Sequence, residues 1–149
     1  MMKSIVALAV AAAVMSGAAV DPTRLHAAAT DRAAGKVTVT VNYKGSGTVD
    51  AGHQVWVWLF DTPDIGPGSM PIAQMSLEKN GGTATFEVGE GRVWIAVAYD
   101  EKGVMTGTEP PPSGSPIGIY AASSGAPEAV RPGPKGAVTV MFDDSQRMP

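Results

Sequence analysis

The sequence predicts an all-β fold, an antiparallel β-sandwich of six or seven strands. Three observations point there. Apolar residues recur at every second position in stretches between Val37 and Phe142, 16 glycines and 10 prolines punctuate that span, and no long helical period appears beyond the first twenty residues. A closed barrel is the runner-up arrangement of the same strands.

Lys36 to Tyr43 alternates strictly, so Val37, Val39, Val41 and Tyr43 share one face of a half-buried strand. Lys44 to Gly47 ends it. His53 to Phe60 is apolar on both faces, with Val55, Val57 and Leu59 opposite Trp56, Trp58 and Phe60. Asp61 to Gly68 holds two prolines and two glycines and must be a loop, because proline has no amide to donate to a ladder.

Met70 to Leu77 reads as a weaker strand, and Lys79-Asn80-Gly81-Gly82 as a hairpin turn, since Asn and Gly accept positive φ. Thr83 to Val88 is the next strand. Its threonines are also good strand residues, so of Ala84, Phe86 and Val88 only Phe86 is assigned to the core. After Gly89-Glu90-Gly91, Arg92 to Tyr99 sets Val93, Ile95, Val97 and Tyr99 against Trp94, Ala96 and Ala98. Val104 to Gly136 carries seven prolines and six glycines, which leaves room only for an edge piece near Ile117 to Tyr120 in a long loop, ordered or loose. Ala137 to Phe142 closes the sheet, with Val138, Val140 and Phe142 on one face.

The chain of 149 residues, 44% hydrophobic, is sized for one core. The expected organisation is a signal peptide over 1–19, a flexible spacer over 20–35 and one domain over 36–145, with the Pro/Gly-rich loop at 104–136. Lys3 gives the positive start of the leader, Ile5 to Met15 its apolar run, and Gly17 and Ala19 the small residues before the cut. The apolar run is too short to span a bilayer, so the expected location is the periplasm or the exterior, with no membrane span after cleavage. His26 lies in the spacer, where a solvated histidine is expected rather than a ligand.

Losing Lys3 leaves ten basic against fourteen acidic side chains, a balance that excludes nucleic acid as a partner. The lack of cysteine excludes disulfides, thiolate zinc sites, a cysteine nucleophile and the lipidated cysteine of a bacterial lipoprotein. No motif calls for a cofactor.

With Val55, Val57 and Leu59 facing inward beside Val93, Ile95 and Val97, alternation turns Trp56, Trp58 and Trp94 onto one outer face. An open face of that kind would be a platform for a sugar, a peptide or a partner protein. Against this stands a structural role, in which the Pro-rich stretch Glu109 to Pro134 folds back as cover. Asp100, Asp143 and Asp144, with Asp61 and Asp64 in another loop, are oxygen donors of the type calcium takes, although solvated strand ends explain them as well. His53 is a candidate acid or base with no partner identifiable by spacing.

The segment Asn80 to Asp100 resembles the hairpin of carboxypeptidase-regulatory-like and transthyretin-like sandwiches, prealbumin-like in fold. In these a G-x-x-x-F strand leads through a glycine turn into a strand of the G-x-Y-x-V-x-A type; Gly82, Phe86 and Gly91 match, and Val93 stands where tyrosine is usual. With Gly52 to Phe60 and Asp100 to Gly103 the arrangement also resembles small secreted bacterial domains of unknown function that carry a D-x-N-x-N-G run, of which Asp100 and Gly103 are kept. The resemblance covers roughly 36–103 and implies architecture rather than activity. Transthyretin-like hydrolases carry a C-terminal Tyr-Arg-Gly-Ser, whereas this chain reads Ser145 to Pro149, which disfavours that enzymatic branch. The expectation is therefore a non-enzymatic exported module, with carbohydrate binding as the alternative and a hydrolase as the distant one.

Overall fold

The computed structural model describes residues 35–149; the expected leader, His26 and all but the last residue of the expected spacer lie outside them. Seven strands follow in order: β1 (Gly35–Tyr43), β2 (Val55–Phe60), β3 (Ala73–Leu77), β4 (Thr83–Val88), β5 (Trp94–Tyr99), β6 (Ile117–Ile119) and β7 (Ala137–Phe142). They form two packed sheets, β4-β1-β7 and β3-β2-β5-β6. The all-β sandwich is thus the observed architecture.

Alternation builds the core. Val37, Val39, Val41 and Tyr43 from one sheet meet Val55, Val57, Leu59, Ile95, Val97 and Tyr99 from the other, all buried. Each fully buried Val, Leu or Ile side chain is worth about 1.5–3 kcal/mol of removal from water. Tyr43 and Tyr99 stack across the sheets with ring centroids 4.4 Å apart. Ala84 and Phe86 are both buried and Val88 is partly so, so simple spacing held on β4 for Ala84 as well.

Two turns differ from the expected hairpins. β3 and β4 belong to different sheets, because β1 captures the turn between them: Gly81 N donates to the Val41 carbonyl at 2.8 Å and Val41 N to the Gly82 carbonyl at 3.0 Å. β4 consequently pairs with β1, Val37 opposite Phe86. β4 and β5 are likewise unpaired, so the glycine turn at 89–91 crosses between sheets instead of closing a hairpin. Val93, expected within the strand, forms an isolated bridge with Val130 of the long loop.

The sandwich has one parallel pair, β1 with β7, Val39 opposite Val138. Parallel neighbours cannot be joined by a tight turn; here β2 to β6 all lie between β1 and β7 in the chain, and the 104–136 segment makes the final return from β5 to β7. That segment is laid down by backbone bonds, Val130 N to the Val93 carbonyl at 2.7 Å and Gly133 N to the Lys36 carbonyl at 2.9 Å, which deliver β7 beside β1.

Strand starts moved where local bonding competes with the ladder. β2 begins at Val55 rather than His53, since the Asp50 carboxylate accepts from the amides of Gly52 and His53 and holds them in a turn. β3 begins at Ala73 rather than Met70, after Pro71, which has no amide to donate.

Candidate functional site

Trp56, Trp58 and Phe60 stand on the outer face of the four-stranded sheet, opposite Ala98, Ala96 and Trp94 respectively. The small alanines leave room for the indoles, and Trp56 stacks on Trp58 with centroids 6.2 Å apart and planes at 23°. The three tryptophans therefore do share a face. They do not form an open platform, because Trp58 is only 5% exposed and Phe60 7%.

The cover is a second, smaller apolar cluster in which Trp58, Phe60 and Ala98 are buried and Trp56, Ile65, Ala96, Met105 and Ile117 pack around them. Its roof is Val104 to Gly107, upstream of the stretch Glu109 to Pro134 expected to do this, from which Ile117 packs alongside. Asp100 is the reason. Its buried carboxylate accepts from Val104 N at 3.0 Å and Met105 N at 2.8 Å, turning the chain back over the sheet as soon as β5 ends. Gly107 then lies against Trp56, and its carbonyl takes the Trp58 indole N–H at 2.9 Å. The Trp56 indole N–H is buried without a hydrogen-bond partner among the described residues.

Two clefts remain beside Trp58. One, of about 190 Å³, lies between Trp58, Phe60, Met70, Pro71 and the Gly107–Pro110 stretch. The other, of about 250 Å³, is bounded by Trp58, Ile65, Pro67, Pro111, Ile117 and Pro149. Sequence reading found the tryptophans but missed Ile65, Met70 and Met105. Their signal was an apolar residue isolated in a polar or Gly/Pro loop, which needs a partner elsewhere.

The carboxylates considered as calcium donors are not gathered. Asp100 is spent on its own loop; Asp143 accepts from Ser145 N at 2.8 Å; Asp144 accepts from the Tyr43 hydroxyl and, at 3.0 Å, from both Ser46 N and Ser46 Oγ. Among the described residues no three His, Asp or Glu side chains converge as metal ligands. Asp61 and Asp64 stay exposed in the β2–β3 loop.

The Tyr43 bond, followed by the Ser46 amide, holds the Asp144 carboxyl below its ordinary range. Burial, reinforced by that same bond, pushes the Tyr43 phenol up, and burial raises Tyr99 too. Arg147 donates to Glu101 at 3.1 Å and to the Gly114 carbonyl at 2.6 Å, fastening the C-terminal stretch to the same end. His53 faces only Asp50, Nδ1 to Oδ1 3.2 Å, with both side chains about half exposed.

Comparisons with protein-family models, with curated proteins and with solved structures return no match.

Proposed function

We propose that this chain is an exported β-sandwich module that binds an extended partner on the outer face of its four-stranded sheet and carries out no chemistry of its own. The observation that carries this is the pair of clefts flanking Trp58. Pockets that take a ligand are concave and mainly apolar, with a few polar groups for orientation, and both clefts fit that description. A roofed pair of clefts favours an extended ligand over a sugar stacked flat on bare indoles. The expected leader at 1–19 fits export.

The test is a two-dimensional ¹H–¹⁵N spectrum of the cleaved chain titrated with soluble oligosaccharides and short blocked peptides. A saturable shift of the Trp58 indole signal with a peptide is expected. Saturation by an oligosaccharide instead would make the face a glycan site, and a Trp58 signal unmoved by both panels would reduce the face to structural cover. Export is tested separately: material recovered outside the cytoplasm is expected to begin at Val20, and an intact Met1 terminus in the membrane fraction would overturn it.

A further inference from the structure

The two loops that enclose the smaller cleft are one-sided in charge. No Lys or Arg occurs between Gln54 and Glu78, nor between Gly103 and Val130. The first stretch carries Asp61 and Asp64, and Glu109 lies in the second. Glu109 is the one charged residue among those that line the cleft, and it is exposed at its edge. The remaining surface is mainly apolar, with Trp58, Phe60, the 80% exposed Met70, Pro71 and Pro110 beside the uncharged polar residues Ser69 and Thr108.

Volume limits what can enter. About 190 Å³ is below the roughly 300–1,000 Å³ of pockets that engulf a whole small molecule, and suits one long side chain. A cationic side chain matches both features, since Lys and Arg bury an aliphatic stem along apolar surface while the charged head stays at the water boundary. Aromatic rings beside the stem favour a cation further. The larger cleft across Trp58 has no charged side chain in its lining, and would take an apolar residue of the same ligand.

We propose that this face recognises an extended peptide carrying an arginine or lysine, with the stem against Trp58, Phe60 and Met70 and the cation at Glu109. The inference rests on the binding role proposed above and adds the chemistry of the partner. Opposite charge across an exposed contact contributes little affinity, so it selects the partner more than it tightens the complex.

The experiment is titration of the cleaved chain with the blocked pentapeptide Gly-Leu-Pro-Arg-Gly and with its twin holding neutral citrulline for arginine, read at the Trp58 indole signal. The arginine peptide is expected to saturate that signal, to bind more tightly than the twin, and to weaken as salt is raised. Glu109→Gln, an exposed substitution that leaves the core intact, is expected to weaken it by about two- to fivefold without changing affinity for the citrulline peptide. Equal binding of the two peptides, or a Glu109→Gln variant that binds arginine as before, would overturn the cationic assignment and leave the binding role standing. If neither peptide moves the signal while other members of the wider panel do, the partner chemistry falls alone; if nothing in the panel does, both fall.

Discussion

The Asn80 side chain joins the backbone of Tyr43 as if it were a strand residue. Tyr43 N donates to Asn80 Oδ1 at 2.8 Å, and Asn80 Nδ2 donates to the Tyr43 carbonyl at 2.7 Å. This amide closes the end of β1, where β4 has already turned away, and satisfies backbone groups that sheet pairing leaves open. Replacing Asn80 by Ala removes both bonds and strands a partly buried donor and acceptor, a loss of about 1–3 kcal/mol. Urea denaturation with an unchanged slope is expected to show it. A midpoint equal to that of the parent would mean that water replaces the amide without loss.

The same residue shows what the sequence exposed and what it did not. Alternation needs only nearest neighbours, so Val37, Val39 and Val41, and the outward turn of Trp56 and Trp58, were legible from spacing. The destination of a turn is not local. Asn80-Gly81-Gly82 has the chemistry of a hairpin, yet β1, some forty positions earlier, supplies the bonds that send the chain to the other sheet. Asp100 is comparable. Its composition suggested a solvated strand end or an ion ligand, and only the fold reveals that two amides within its own loop use the carboxylate. The clefts depend on that loop, so they were invisible while the tryptophans beneath them were not.

Asp144 and Tyr43 give the protein opposite limits in pH. The folded Asp144 has its pKa below the unfolded value of about 3.9. Its contribution is therefore complete above about pH 4 and is lost as pH falls through the folded value. Tyr43 is shifted the other way, above the unfolded value of about 10. Its contribution is complete below about pH 10 and disappears as pH rises beyond it, because the unfolded chain then releases a proton that the folded chain retains. Denaturation midpoints measured across pH should fall at both extremes, and Asp144→Asn should flatten the acid limb. An acid limb identical in the variant would assign it to other carboxylates.

Trp56 and Trp58 separate the value of a buried hydrogen bond from that of a buried ring. Trp58 donates to the Gly107 carbonyl, whereas the Trp56 indole N–H has no partner among the described residues. Replacing either by Phe makes the same change in side chain. Trp58→Phe also leaves a carbonyl unpaired beneath the roof, whereas Trp56→Phe removes a donor that was already unpaired. Trp58→Phe is expected to cost about 1–2 kcal/mol more than Trp56→Phe. Equal losses for the two would show that the roof bond contributes nothing net.

Gly107 is where the roof meets the sheet, and two independent constraints hold it as glycine. Its φ is +80°, and a Cβ there would overlap Trp56 Cζ3 and come within 3.0 Å of Gln74 Nε2. Left-handed backbone costs a residue with a Cβ about 1–2 kcal/mol, and overpacking against a stacked ring adds about 1–3 kcal/mol. The roof can lift for less than the whole sandwich can unfold, so Gly107→Ala is expected to detach Val104–Gly107 locally. The readouts are a red shift of tryptophan emission and faster amide exchange at Val104 and Met105, with the β1 and β5 amides still protected. Gly125→Ala separates the two causes: Gly125 has φ +83° but nothing within 4 Å of its would-be Cβ, so it carries only the backbone strain. If Gly107→Ala matched Gly125→Ala in emission and exchange, the contact with Trp56 would not be what shapes the roof.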